Sequence, residues 1–204
     1  MKLQKSIKKL TSGEHLKIIA LGDSLTQGWM VRKGYLDFIA EMLQSLFPDC
    51  DVSILNRGIP GDTAEGGLYR LREDVLDGDP DLVFVQFALN DAFTGVPPAQ
   101  FKNTIKTIVD HIRTDTDAEI LLLTSVPIMH QDVDFMAENF YSRLSEVSSE
   151  ESIPIALVHQ YWKKKMSEGT DIHSLVQADM VHPNVEGYRL MAEAIMEVFD
   201  RRRE

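Results

Sequence analysis

Lys17-Ile18-Ile19-Ala20-Leu21-Gly22-Asp23-Ser24-Leu25-Thr26 opens with the apolar run of a buried strand, breaks at a glycine, and then places Ser24 where a helix should begin. Outward from this stretch, short apolar runs alternate with longer amphipathic ones. Residues 35–47 repeat Leu36, Ile39, Ala40, Leu43 and Leu46 along one helical face. Residues 52–55 predict a second strand. Residues 63–76 predict a helix with Leu68, Leu71, Val75 and Leu76 turned inward, and residues 82–87 predict a third strand, apolar enough to be covered on both faces. A helix over 99–113 carries Phe101, Ile105, Ile108, Val109 and Ile112, a fourth strand follows over 119–124, and a helix over 132–150. A fifth strand over 153–158 contains Pro154, which suits an edge or a late start. A short helix over 160–167 and a last helix over 185–201, capped by Asn184, complete the pattern.

Strands that alternate with helices predict a parallel sheet covered on both faces, a three-layer α/β/α arrangement with five strands. Such sheets bind ligands at the carboxyl ends of their strands. Residues 22–26 follow the first strand, 58–63 the second and 88–91 the third, so these segments converge at one sheet edge.

The chain has 204 residues, which suits one domain over 1–204, and its 44% hydrophobic and 26% charged content is that of an ordinary globular protein. A net charge of −11 argues against a nucleic-acid partner and against docking on anionic membranes. The single cysteine, Cys50, permits no intrachain disulfide and has no neighbours that suggest a nucleophile. The basic ends, residues 1–10 and 201–204, are expected to be solvated. The first is not followed by the apolar run of a secretory signal, and no stretch approaches the ~20 apolar residues of a membrane span. A cytoplasmic location without stable membrane insertion is expected.

Several residues carry the elements of acyl transfer. A serine hydroxyl is a weak nucleophile without a base in hydrogen-bond reach. Ser24 could simply cap a helix, but Asp179-Met180-Val181-His182 supplies a base and, three residues before it, a carboxylate to orient it. Pro183 and Asn184 then fix the turn. Gly61, in Asn56-Arg57-Gly58-Ile59-Pro60-Gly61-Asp62-Thr63, and Asn90, in Asn90-Asp91, can donate hydrogen bonds to an oxyanion, while Gly58 reads as a turn residue.

These four pieces, in this order, resemble the SGNH hydrolases, also called the GDSL esterase/lipase family, over about residues 18 to 192. The resemblance implies a flavodoxin-like fold, catalytic Ser24, Asp179 and His182, and an oxyanion hole made by the backbone N–H of Ser24, that of Gly61 and the side-chain amide of Asn90. It implies no cofactor and no metal. One position departs from the pattern: the usual Gly-x-Asn-Asp reads Ala88-Leu89-Asn90-Asp91, and an alanine is tolerated there if its φ is negative.

Asp23, Asp62 and Asp91 flank these residues and are expected to brace loops; no histidine clusters with them. His15, His111, His159 and His173 show no metal-ligand spacing, nor does His130, which follows the fourth strand and could approach the pocket. Trp29, Met30 and Phe93 are placed to line a substrate pocket. There is no Gly-x-Ser-x-Gly elbow and no Gly-rich phosphate or dinucleotide loop.

The expected function is therefore a serine ester hydrolase acting on a small-molecule ester through an acyl-enzyme on Ser24. The absence of a long hydrophobic lid points to small or short-chain substrates. A sugar O-deacetylase, a thioesterase or a lysophospholipase would use the same centre, and a non-catalytic binding protein is the alternative from another class. With an imidazole base, activity should fall below neutrality, since histidine ordinarily titrates near ~6.5.

Overall fold

The computed structural model describes residues 2–199. In chain order the elements are α1 (Gln4–Ser12), β1 (Leu16–Gly22), α2 (Ser24–Gln27), α3 (Tyr35–Leu46), β2 (Val52–Gly58), α4 (Ala64–Tyr69), α5 (Leu71–Asp74), β3 (Leu82–Gln86), α6 (Leu89–Phe93), α7 (Pro98–Asp115), β4 (Glu119–Leu123), α8 (Gln131–Glu151), β5 (Ile155–Ala156), α9 (Val158–Ser167) and α10 (Val185–Met196). The five strands form one parallel sheet in the order β2-β1-β3-β4-β5, the doubly wound order whose switch point lies between β1 and β3. Helix α3 packs against α10, and α7 against α4 and α8.

The central strands are apolar because helices cover both faces. All five residues of β3 are buried, and so are Ile18 to Gly22 of β1. Register aligns the strand ends that matter: Gly22 pairs with Gly58 on one side and with Gln86 on the other. Three carboxyl ends therefore meet at one level of the sheet. Phe101, Ile105, Ile108, Val109 and Ile112 are buried as the periodicity of α7 requires, and Pro98 sits in its first turn, where a missing N–H costs nothing. Asn184 caps α10, its Oδ1 accepting from Glu186 N and Gly187 N at 3.0 Å each.

Four expectations need correction. The helix expected over 63–76 breaks at Arg70 into α4 and α5, followed by a tight turn at Leu76–Gly78. Gly66 and Gly67 weaken helix propensity there, and a side chain at Gly67 would meet Phe87 Cζ at 2.4 Å, so the glycine serves close packing instead. Strand β5 keeps only two residues, because Pro154 precedes it and α9 already begins at Val158. Leu46 is 63% exposed at the end of α3 rather than inward. The basic start is not merely a solvated tail: it contains α1, with Leu3 and Leu10 buried while Lys5 and Lys8 stay exposed. Glu119, at the start of β4, accepts from Lys5 N at 2.9 Å and Ser6 N at 2.7 Å, and places a carboxylate at the positive end of α1. Lys9 pairs with Asp81 at 2.6 Å. The last helix, expected over 185–201, is α-helical to Met196 and tightens into a 3₁₀ turn over Glu197–Phe199, and residues 200–204 lie outside the described residues. No helix among the described residues is long and apolar enough to cross a membrane.

Ala88, where the motif usually has glycine, has φ 145° and ψ −41°, a conformation that penalises any side chain. The negative φ that would have excused the alanine is not adopted. Ala88→Gly is expected to raise stability by about 1 kcal/mol, the relieved strain exceeding the extra unfolded-state entropy of glycine. Urea denaturation of both proteins checks this; a less stable glycine variant would contradict it.

Candidate active site

β1 must end at a glycine: a Cβ on Gly22 would lie 2.2 Å from Thr26 Oγ1 and 2.8 Å from Gln86 O. The chain then turns into α2 through Asp23, whose Oδ1 accepts from Leu25 N at 2.9 Å as the helix cap. Ser24 is thereby the first helical residue, and a helix start leaves its N–H without a helical acceptor. Gly58 is not a turn residue as expected. It is the last residue of β2, and a Cβ there would lie 2.2 Å from Gln27 N, so its bareness lets β2 lie flush against the nucleophile turn. Asn56 ties the same turn down, donating to Thr26 O at 3.0 Å and accepting from Gly58 N at 2.9 Å.

The base comes from a compact reversal between α9 and α10. Val176 pairs antiparallel with Pro183, Gln177 N donates to His182 O at 2.8 Å, and Met180 adopts φ 61° to close the turn. Asp179 Oδ1 accepts from Val181 N at 3.0 Å and His182 N at 2.9 Å, while its Oδ2 lies 2.7 Å from His182 Nδ1. His182 Nε2 lies 2.9 Å from Ser24 Oγ. A carboxylate only accepts, so Nδ1 carries the proton and Nε2 is free to accept from the hydroxyl. The three residues named from the sequence thus stand in a continuous line. Ser24 is 7% exposed, and the side chains of His182 and Asp179 are 19% and 43% exposed. Burial acts on the Asp179 carboxyl to raise its pKa, but the N–H groups of His182 and Val181 and the imidazole outweigh it and hold the group below the usual carboxylate range.

The expected oxyanion donors lie on the neighbouring loops. Gly61 has φ 79°, a left-handed conformation that suits glycine, and a Cβ built there would meet nothing within 4 Å. Asn90, in α6, donates one amide N–H to Asp62 O at 2.8 Å, which fixes the side chain against the Gly61 loop and leaves the second N–H of the amide group. Asp91 accepts from Ala64 N at 3.1 Å, and Asp62 from Arg70 Nε at 2.8 Å, so the flanking aspartates do brace these loops.

Arg70 was not singled out from the sequence, because a continuous helix over 63–76 would place it opposite Leu68, Leu71 and Val75, on the outward face. Its guanidinium also donates to Arg57 O at 2.8 Å, Gly22 O at 3.0 Å and Asp74 Oδ2 at 2.6 Å, and so joins the ends of β1 and β2 to the Gly61 loop. Gln86 was also missed. It donates to Asp23 Oδ2 at 3.2 Å and Ser125 Oγ at 2.9 Å and accepts from Thr26 Oγ1 at 2.8 Å beneath the nucleophile.

Of the residues expected to line a pocket, Trp29 lies against the base, its ring 5.7 Å from that of His182. Met30 and Phe93 are 79% and 47% exposed, and His130 is exposed. Ile59 and Phe135, not foreseen, are exposed as well. The segments that follow β1, β2, β3 and β4 thus include the exposed apolar side chains Met30, Ile59, Phe93 and Phe135, with Leu46 and Tyr69 exposed further along the first two of them. Away from the site, Asp134, Glu138 and His159 offer donor atoms within 4.8 Å of one another. Lys163 Nζ, 2.8 Å from Asp134 Oδ2, already brings positive charge to that cluster.

The Asp23 carboxyl is fully enclosed, and burial pushes its pKa up to about 7 against the opposing pull of Leu25 N–H and Gln86. Asp91 is raised to about 6, again chiefly by burial. Both ordinarily titrate near 3.8, so the folded state holds their protons more tightly than the unfolded state does. The stability this confers is complete below that value and is lost as the pH rises through about 6 and then 7. Asp23→Asn is expected to flatten the decline of melting temperature between about pH 4 and pH 8. An unchanged slope would contradict this assignment.

A sequence model described as the GDSL-like Lipase/Acylhydrolase family matches residues 20–190. Among curated proteins, an arylesterase of Vibrio mimicus is 26% identical over 186 residues, 88% of this chain and 86% of that protein. An acetylxylan esterase of Geobacillus stearothermophilus is 25% identical over 211 residues, 92% of this chain and 94% of that protein. The crystal structure of Axe2, an acetylxylan esterase from Geobacillus stearothermophilus, superposes with a TM-score of 0.81 at 21% identity, over 90% of this chain and 94% of that one, and speaks for the fold.

Proposed function

The chain belongs to the GDSL-like lipase/acylhydrolase family and is a carboxylic ester hydrolase, and from this premise we propose that Ser24, His182 and Asp179 do its chemistry on esters with small or short acyl groups. The observation that carries the assignment is the line from Asp179 through His182 to Ser24, with contacts of 2.7 and 2.9 Å.

Ser24 Oγ bonds to the ester carbonyl carbon while its proton passes to His182 Nε2. The carbonyl oxygen takes the negative charge and is held by the N–H of Ser24, the N–H of Gly61 and the free N–H of Asn90. Asp179 keeps the imidazolium oriented and offsets its charge. The carbon–oxygen bond to the alcohol then breaks, and His182 returns the proton to the leaving oxygen. Water, deprotonated by His182, adds to the acyl group on Ser24. Collapse frees the acid and restores the hydroxyl.

The apolar side chains of Met30 and Phe93, joined by Ile59 and Phe135, support an apolar group at the mouth of the site. Trp29, beside His182, supports a wall for the reacting ester, and His130 is assigned to the rim. A second reading, removal of acetyl groups from a sugar, is favoured by the likeness to the Geobacillus esterase. Rates on p-nitrophenyl acetate, butyrate and octanoate, an octanoyl thioester and an acetylated xylo-oligosaccharide separate these. The proposal expects the highest kcat/KM on the acetate or butyrate; preference for the oligosaccharide would establish the second reading, and preference for an octanoyl substrate would overturn the short-chain assignment. The cytoplasmic setting also belongs to this proposal, supported by the lone thiol of Cys50, and recovery of the protein outside the cell would remove it.

A further inference from the structure

The nucleophile and the base come from opposite ends of the chain, 158 residues apart, so something must set their spacing. Among the described residues, two hydrogen bonds join residues 171–184 to residues 22–35. One is the Ser24–His182 contact itself, and the other is donated by Gln177. The Gln177 side-chain amide uses both of its N–H groups on main-chain carbonyls: Trp29 O at 2.8 Å, on the nucleophile side, and Pro183 O at 2.8 Å, next to the base. Both partners only accept, so the amide nitrogen must face them.

These bonds close a ring. Trp29 N donates to Ser24 O at 3.1 Å, Trp29 O accepts from Gln177, Gln177 N donates to His182 O at 2.8 Å, and His182 Nε2 meets Ser24 Oγ at 2.9 Å. Three sides of the ring are made by atoms that take no part in bond making. They hold the fourth side at reacting distance, and they hold the Trp29 ring beside the imidazole. The Asp179 contacts fix His182 within its own turn, but they do not locate that turn relative to Ser24.

We propose that Gln177 is a positioning residue that sets the Ser24–His182 distance by clamping the base turn to the carbonyl of Trp29. This rests on the catalytic reading of Ser24 and His182. A base turn released by even about 1 Å loses on the order of 10²-fold in rate, whereas Trp29 stays tied to Ser24 O through its own N–H, so the substrate loses little binding.

The test compares wild type, Gln177→Met and Gln177→Glu in p-nitrophenyl butyrate hydrolysis. Methionine keeps the length without donors, and glutamate keeps the shape but turns an acceptor toward two carbonyls. The expected result for Gln177→Met is a kcat lower by about 10- to 100-fold with KM within about threefold, and for Gln177→Glu a fall at least as large. In a His182→Ala background the same substitutions should have almost no further effect, since no base remains to be positioned; a general weakening of the fold would lower both backgrounds alike. A kcat within twofold of wild type in either variant overturns the inference, as does an equal loss in the His182→Ala background. If Ser24→Ala leaves hydrolysis intact, the catalytic reading fails instead, so the two failures are distinguishable.

Discussion

Ser24→Ala is expected to lower kcat on p-nitrophenyl butyrate by about 10⁴- to 10⁶-fold, with the fold unchanged. The hydroxyl is the atom that would bond to the acyl carbon, and alanine offers nothing in its place. The residual rate should still exceed that in water, because the Ser24 N–H, Gly61 and Asn90 remain to hold an oxyanion. Folding should survive: Ser24 is small, its side-chain hydrogen bond runs to His182, and the cap of α2 is Asp23 rather than Ser24. Initial rates beside circular dichroism check both halves. A correctly folded variant with more than about a tenth of wild-type activity would contradict the assignment.

Asp179→Asn should reduce kcat by about 10²- to 10⁴-fold. Asparagine Oδ1 can still accept from Val181 N and His182 N, so the turn is kept. Its amide, however, would face His182 Nδ1 as a donor and draw the ring into the tautomer whose Nε2 carries hydrogen. That nitrogen could no longer accept from Ser24. The lower end of the range is expected because Asp179 is 43% exposed and water can partly replace it. The wild-type carboxyl lies below the usual carboxylate range, so it stays charged throughout the neutral region and should contribute no step to a pH–rate profile there. The check is kcat and KM for the variant across neutral pH; a loss confined to KM would place Asp179 in binding instead.

The parts legible in the sequence are those with a local signal. Apolar runs located β1, β3 and β4, and spacing placed Ser24, Asp179 and His182 on turns that the sheet topology brings to one edge. Side chains that reach across the fold carry no such signal. Gln177 sits two residues before Asp179 like any polar loop residue, and only the positions of Trp29 O and Pro183 O give it meaning. Arg70 was hidden for the opposite reason: it lies within a run whose apolar period reads as one helix, and beside its i,i+4 partner Asp74 it reaches Asp62, Arg57 O and Gly22 O, which only the fold brings within range. Helix α1 escaped notice because its lysines dominate the composition while Leu3 and Leu10 do the docking, aided by Glu119. Gly58 and Ala88 erred in a shared way. The need for glycine was judged from turns, but at Gly58 it arises from a strand pressed against Gln27, and at Ala88 a φ of 145° is held despite the methyl group.

The most direct test is to inactivate the enzyme with a p-nitrophenyl phosphonate ester and map the modified peptide by mass spectrometry. A phosphonyl group on Ser24, accumulating in step with the loss of activity and failing to accumulate in His182→Ala, is the expected result. Loss of activity with the group on another residue, or full activity with Ser24 modified, would contradict the account.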